Sequence, residues 1–400
     1  MIRMASVEQA LALIAEHGAR RVTGLEAVPL ASALGRRVAE PIVARVSQPP
    51  ADVSAMDGYA LRHTDMKPGA VVRVIGESRA GVPFAGQVGP GEAVRIFTGA
   101  HVPQGANHIL IQEDAKREAD AVTVTFDQPQ PANIRRAGRD FSAGATLVPA
   151  GHIIGEGAIS LAAAGNAARL IVAKAPRVGV LANGDELVMP GEPLVPGQVV
   201  NSIQPALLAL IRRWGAVALD LGLSRDTEDD VRKRISAPCD VIVSIGGASV
   251  GDYDVVRGAF AAEGFEPVFE KVAVKPGKPT WFSAGPSALA LGLPGNPAAA
   301  MVTAQLFLRP LIDALTGGAP ESAPPSRARS LGDLPSTGTR EEYLRAVLSI
   351  TGEGEATVRA AEDQDSALLS PFLMANALIR RPTNSPQVPA GDLVEVVPLR

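Results

Sequence analysis

Cysteine is nearly absent. The 400 residues include one, Cys239. An internal disulfide is therefore excluded, and so is a zinc site built on a cysteine cluster. A reducing, cytoplasmic setting fits this usage. Aromatic residues make up only 4%, which leaves little for platforms that stack nucleobases. Positive charge is not in excess either. Lys and Arg total 38 against 42 Asp and Glu, so the net charge is −4 and the basic footprint of a nucleic-acid binder is missing. The first residues, MIRMASVEQALALIAEHG, have no apolar run or small-residue cleavage site of a secretory signal. No charged residue occurs over 279–308, yet AGPSALALGLPGNPAAAMV is cut by Gly-Pro and Pro-Gly-Asn-Pro. A membrane span needs about 20 mostly apolar residues without such breaks. The stretch reads as a buried strand, a turn and a buried helix.

What is present is ample apolar material, 46% of residues, in a chain of multi-domain length. Ser6 and Gln9 form a capping box, Leu11 and Ile14 give an apolar stripe, and Gly18 can end the helix they start. Residues 1–43 and 141–175 carry mostly helical texture and form one discontinuous domain. Residues 44–140 hold short β runs such as AVVRVIGES, EAVRIFTGA and AVTVTFDQ between Pro and Gly, which reads as a β insertion. Residues 176–318 alternate: RVGVLA, NSIQPALLALIRRWG, AVALDLGL, DTEDDVRKRIS, DVIVSI. That order predicts a doubly wound parallel sheet with helices on both faces. Ligands of such sheets lie beyond the carboxyl ends of the strands. A Pro/Gly/Ser-rich connection comes next, and residues 319–400 read as a small β domain. The fold class is α/β plus β.

SIGGASVGDYD, residues 244–254, combines a glycine turn with two carboxylates. Gly247-Ala-Ser249-Val-Gly251 matches the nucleophile elbow of hydrolases, G-x-S-x-G. That family order needs a histidine downstream, and all five histidines, the last being His152, precede Ser249. What remains is a backbone cradle for an anion or a plain tight turn, and the loop alone does not decide between them. In EKVAVKPGKPTW, Lys271 and Lys275 fall on one face if the segment is a strand, and Lys278 comes after a Pro-Gly turn. Three ammonium groups there suit a polyanion, although edge lysines also block aggregation. Asp57, in SAMDGYA, reads by itself as an ordinary Asp-Gly turn. Thr98 comes just after a strand and can donate to an oxyanion, while His101 and His108 read as surface residues. Asp185, Glu186, Asp226 and Asp254 all fall just past strands of the α/β region. Each alone suits a cap or turn. Together, without Cys or His beside them, they suit Mg²⁺ better than zinc.

SAMDGYA, IFTGAHVPQGA, NIRRAGRDFSAG, NGDELVMPG, GGASVGDYD, VKPGKP and LPGNP occur in this order along the chain. The set resembles the molybdopterin molybdotransferases, the molybdenum-insertion enzymes related to the E domain of gephyrin and the plant molybdenum-cofactor protein. The likeness spans essentially the whole chain. Departures are Asn183, where Thr is frequent, Arg139, where Glu is usual, and Ala298-Ala299, where Val-Ser is usual. The resemblance implies an elongated homodimer of four-domain chains with a molybdopterin-binding α/β domain and a C-terminal β-barrel. It implies conversion of adenylylated molybdopterin and molybdate to molybdenum cofactor and AMP, with Mg²⁺. Molybdopterin adenylyltransferase is then the upstream partner. The site would lie between the α/β domain of one chain and the β insertion of the other, which gives Asp57, Thr98 and Asp140 a role. Under this reading Gly246, Gly247 and Ser249 hold phosphate, and Asp226 and Asp254 hold the metal. Lys271 and Lys275 attract molybdate or the terminal phosphate, and Glu186 and Asp140 orient the attacking oxygen. Asp185, Lys278, Pro294, Asn296 and Pro297 contact the pterin substrate, while Asp252 only caps its helix. Two alternatives remain: the preceding adenylyl transfer, and a non-catalytic scaffold of the gephyrin kind.

Overall fold

The structure is a computed structural model and describes residues 1–126, 128–246, 255–318 and 326–399. The chain divides into two compact units: Met1–Glu26, Gly35–Arg37 and Val172–Arg400 form the first, Ala27–Leu34 and Val38–Ile171 the second.

The first unit contains a six-stranded sheet. Its strands are β1 (Arg177–Asn183), β2 (Val217–Ser224), β3 (Val241–Ile245), β4 (Glu266–Phe269), β5 (Trp281–Ala284) and β6 (Leu289–Leu293), in the spatial order β2-β1-β3-β6-β5-β4. The four strands β2, β1, β3 and β6 run parallel, as the alternating sequence predicts. The sheet ends in antiparallel pairs, β6 with β5 and β5 with β4, so it is mixed rather than purely parallel. The connection Gly285–Ala288 is short enough for a hairpin, and parallel pairing needs a crossover of a dozen or more residues.

Both faces of the sheet are covered. Val178, Val180, Ala182, Val241 and Val243 point into one core with Leu207 and Ile211 of α2 (Ile203–Arg213). Leu181 and Ile242 point into another with α3 (Glu228–Ile235) and α4 (Val255–Ala262). Burial on two sides explains why β1 and β3 are continuous apolar runs. The helical run Pro297–Leu315 has the length and composition to cross a membrane, but 72% of its most apolar stretch is buried within the protein. Phe307, Leu308 and Leu311 lie in the core; 279–308 holds the expected buried strand, turn and helix, preceded by a second buried strand, Trp281–Ala284.

The capping box of the N-terminal helix α1 (Val7–Ala19) forms, with the Gln9 amide 3.1 Å from the Ser6 hydroxyl oxygen. Gly18 does not end this helix. It is buried, and a Cβ there would stand 2.6 Å from the Cβ of Ala314, so glycine allows two helices to touch. Residues 20–43 are not helical as expected. Leu25–Pro29 is a strand and Leu30–Ser32 a single 3₁₀ turn, in keeping with the β-branched residues and prolines there.

The rest of the first unit is the expected barrel. Five strands, β7 (Ser326–Ser330), β8 (Glu341–Ile350), β9 (Ala356–Ala360), β10 (Ala377–Arg381) and β11 (Leu393–Pro398), close in the order β8-β9-β7-β11-β10-β8. The two-residue strand Val274–Lys275 pairs with the start of β8, Lys275 opposite Glu342, and so ties the α/β part to the barrel.

The second unit is built on a six-stranded sheet in which only Val71–Ser78 and Glu92–Ile96 pair in parallel. Tyr59, Leu61, Val72, Leu110 and Val122 fill its core. The segments on either side of the sheet meet where Ile42–Val43 pairs with Thr146–Val148. Within 141–175 only Glu156–Ala164 is α-helical; Arg169–Ala173 is a strand.

Candidate functional site

A cavity of about 1020 Å³ opens at the carboxyl end of the α/β sheet. The chain reaches it at the end of four neighbouring strands. In spatial order these bring Asp226 after β2, Asn183 and Glu186 at β1, Gly246 after β3, and the Pro294–Pro297 turn after β6. Lys275 and Lys278 come from the segment that pairs with the barrel. The barrel itself adds Arg340, Gln364, Asp365 and Ser366.

The carboxylate end is held by a short network. The Ser224 hydroxyl donates to Asn183 Oδ1 at 2.7 Å, and Asn183 Nδ2 donates to Asp226 Oδ1 at 2.6 Å. The Asp226 backbone N–H donates to Asp185 Oδ1 at 3.3 Å. Asp185 therefore supports the Asp226 backbone and is not among the residues lining the cavity, whereas Glu186 and Asp226 are. Gly246 begins the glycine loop with φ +85°, and a Cβ there would lie 2.7 Å from the Asn183 carbonyl oxygen. Glycine is thus required twice, by the left-handed backbone and by the close approach.

At the other end, Lys275 Nζ lies 3.1 Å from Glu342 Oε1. Among the described residues, Lys278 and Arg340 make no ion pair. Lys271 stands apart from this group. The strand is two residues long, so the alternation expected to align Lys271 with Lys275 is lost; the Lys271 carbonyl bonds to Ala5 N–H, and Lys271 does not line the cavity.

The LPGNP turn is fixed from the barrel. Asn296 Nδ2 donates to Ser366 Oγ at 2.7 Å, and the Ala298 N–H donates to the Ser366 carbonyl at 2.9 Å. Pro297 occupies the first helical turn, where its missing N–H costs nothing. Arg340 and Ser366 escape sequence reasoning because no spacing in a Pro/Ser/Thr-rich stretch or in AEDQDSALL marks them. The one signal was Asn183, visible only as a departure at the NGDEL motif.

Gly247, Ser249 and Asp254, with Asp252, lie outside the described residues. Asp57, Thr98 and Asp140 belong to the second unit. There Asp57 Oδ1 accepts the Thr98 N–H at 2.7 Å and the Thr98 hydroxyl at 2.8 Å, which holds the Asp57 carboxyl below its usual range. Ser54 and Ala100 are hydrogen-bonded and Val53 pairs with Arg135, so the Asp57–Thr98 corner and the segment leading to Asp140 flank one short strand. His101 is exposed, but His108 is not a surface residue. It is 0% exposed on its strand, and its Nδ1 accepts the Ala132 N–H at 2.9 Å. Burial, then His63 beside it, lowers its pKa to about 4.

The donor set suits a hard cation. Among the described residues no three His, Cys, Asp or Glu groups could hold a metal ion by themselves. Mg²⁺ typically takes one or two protein carboxylates and completes its shell with water and substrate phosphate. Asp226 and Glu186 on an open cavity meet that demand.

Three family models match the chain in order. They are the MoeA N-terminal region (domain I and II) over residues 5–165, a probable molybdopterin binding domain over 179–314, and the MoeA C-terminal region (domain IV) over 327–399. The molybdopterin molybdenumtransferase of Nostoc sp. is 35% identical over 387 residues, covering 94% of this chain and 88% of that protein. That of Haemophilus influenzae is 34% identical over 382 residues, covering 94% of each. The solved structure of a molybdopterin biosynthesis MoeA protein from Pyrococcus horikoshii superposes with a TM-score of 0.83 at 25% identity, over 99% of this chain and 100% of that one. Most of the cavity's lining thus falls in the segment that matches a probable molybdopterin binding domain and the rest in the C-terminal region, in a chain similar to these transferases over most of its length; the chain belongs to the molybdopterin molybdenumtransferase family, transferases of molybdenum cofactor biosynthesis.

Proposed function

We propose that this chain inserts molybdenum from molybdate into adenylylated molybdopterin and releases AMP, with Mg²⁺ as the required cation. The observation that carries the reading is the division of charge around one cavity. Asp226 and Glu186 stand at strand ends, and Lys275, Lys278 and Arg340 come from the segment at the barrel. A substrate with a pyrophosphate and an incoming dianion needs fixed cations, and a metal bridging phosphate needs carboxylates. The cavity, at about 1020 Å³, is at the upper end of ligand pockets, as a pterin joined to a nucleotide requires.

Gly246 opens a turn whose backbone N–H groups approach the phosphates. Lys275 and Lys278 receive molybdate or the terminal phosphate. Glu186 orients the oxygen that attacks the adenylyl phosphorus; the anhydride P–O bond breaks, AMP leaves with the new P–O bond and molybdopterin keeps its own phosphate, while the two dithiolene sulfurs replace oxygen ligands of molybdate, which leave as water with the thiol protons. Mg²⁺ bound at Asp226 would act as a Lewis acid on that anhydride. Pro294 and Pro297 form a stiff wall beside the pterin. The chain works in the cytoplasm as a homodimer in which the Asp57–Thr98 corner serves the site of a second copy.

The test is release of AMP from adenylylated molybdopterin supplied with molybdate and Mg²⁺. Asp226→Asn and Lys275→Ala are each expected to lower the rate about a hundredfold with little change in thermal midpoint, the scale on which one electrostatic group contributes to catalysis. Full rates in both variants, or formation of adenylylated molybdopterin from ATP by this chain alone, would overturn the reading.

A further inference from the structure

We infer that Asn183 is a positioning residue that sets the metal affinity of Asp226 through an amide that accepts at one end and donates at the other. The inference rests on the proposed metal role of Asp226.

Asn183 ends β1 and is 5% exposed, while Ser224 at the end of β2 is 2% exposed. A buried amide needs partners for both of its ends. Ser224 satisfies the oxygen, because its hydroxyl donates to Asn183 Oδ1. That fixes the amide, since the end facing Asp226 must then be the NH₂ group. Nδ2 donates to Asp226 Oδ1 at 2.6 Å. The other carboxylate oxygen, Oδ2, accepts no hydrogen bond among the described residues. One oxygen is held and the other is left to a ligand at the cavity.

The backbone of the same residue supports the opposite side of the site. Its carbonyl oxygen packs where a Cβ of residue 246 would be, 2.7 Å away. Asn183 therefore positions the carboxylate at β2, and its carbonyl bars a side chain at the start of the glycine loop at β3. Partners that orient a metal-binding carboxylate without touching the metal typically change affinity by about 10–100-fold when removed. Asn183→Thr keeps a hydroxyl donor at the position; Asn183→Ala removes the donor and leaves Ser224 only the Ala182 carbonyl at 3.5 Å.

Mn²⁺ serves as the probe, bound in the presence of AMP and monitored by the loss of its free-ion electron paramagnetic resonance signal. The full chain is compared with Asn183→Ala, Asn183→Thr and Asp226→Asn, each checked for an unchanged thermal midpoint. Asn183→Ala is expected to weaken Mn²⁺ about tenfold or more, and Asn183→Thr to stay within about threefold of the original chain. In turnover the Mg²⁺ concentration for half-maximal rate should rise in Asn183→Ala while the rate at saturating Mg²⁺ holds. A general packing defect would lower the thermal midpoint without that split. If Asp226→Asn weakens Mn²⁺ and Asn183→Ala does not, the inference fails and the metal role of Asp226 stands. If neither substitution changes Mn²⁺ binding, both fail.

Discussion

At the carboxyl edge of the α/β sheet, Asn183, Asp226, Gly246 and Pro294 each stand at a strand end or within two residues of one. The barrel delivers Gln364, Asp365 and Ser366 differently, from the long connection between β9 and β10. Strand pairing places the first group, because the ladder that orders β2, β1, β3 and β6 also orders the residues just past their ends. Nothing in a ladder places the second group. A buried cation does it instead. Arg345 on β8 is 1% exposed, and its guanidinium donates to the carbonyls of Leu368 at 2.6 Å, Asp365 at 3.0 Å and Asp363 at 3.2 Å. Gln364 answers by donating to the Arg345 carbonyl at 3.0 Å. One side of the cavity thus depends on backbone geometry and the other chiefly on side chains, Arg345 and Gln364 foremost.

The sharpest way to break this contrast is Arg345→Met. The methionine fills much of the volume but removes three hydrogen bonds from a charged donor, while the Asp365 carbonyl keeps the Leu368 N–H at 3.2 Å; hydrogen bonds to charged groups contribute about 1.5–3 kcal/mol each. We expect a loss of about 4 kcal/mol in denaturant unfolding, together with a raised KM as Ser366 releases the Asn296 turn. Asp226→Ala, on the sheet side, should cost about 1 kcal/mol of stability, because the residue itself is exposed and only the buried Asn183 amide loses a partner. Equal losses from the two substitutions would erase the distinction.

A second test asks whether the second unit also rests on one buried polar group. His108 titrates near 4 when folded against an ordinary value of 6.5, chiefly through burial. Between those values the unfolded chain binds a proton that the folded chain refuses. Stability is therefore complete above pH 6.5 and declines as pH falls toward 4, by about 3 kcal/mol in all. Thermal midpoints across that interval should show the decline, and His108→Gln should flatten it. An equal slope in the variant would assign the loss to other groups.

The same contrast explains what could be read from the sequence. The parallel strands announce themselves by continuous apolar runs, and the rule for their carboxyl ends then places Glu186, Asp226 and Gly246 at one edge. Lys271 is misread because the alternation argument assumes a strand that lasts, and here it lasts for two residues. The antiparallel end of the sheet is hidden by the same ambiguity, since WFSA and LALGL look alike in either direction. His108 looks exposed beside a Pro/Gly loop, yet the strand it begins is buried. Arg345 is invisible for a deeper reason. A lone arginine in YLRAVL suggests a solvated position, and only partners 18–23 residues later along the chain explain its burial.

Gly246→Ala tests the sheet side on its own terms. The left-handed backbone and the 2.7 Å approach to the Asn183 carbonyl together should cost about 2 kcal/mol. The strain falls on the residue that also holds Asp226, so Mn²⁺ affinity should drop in step with stability. A stable Gly246→Ala chain with normal Mn²⁺ binding would mean that the edge tolerates a shift of its backbone.

The smallest effect concerns the point where sheet and barrel meet. Lys275 and Glu342 are 3.1 Å apart, but the lysine side chain is 52% exposed and the glutamate 13%. A half-exposed pair of this kind contributes under about 1 kcal/mol, so Glu342→Gln should barely move the thermal midpoint. Its effect on binding should be larger than its effect on stability. Removing the carboxylate leaves Lys275 uncompensated beside the anion, an interaction of about 1 kcal/mol at 4 Å in water. Molybdate or AMP, titrated by calorimetry, should therefore bind about fivefold more tightly at low salt, and the gain should fade at high salt as the charges are screened. Weaker binding at low salt would reverse the assignment. Glu342 would then act by holding Lys275 in place, and the barrel would position the cation as Arg345 positions the loop.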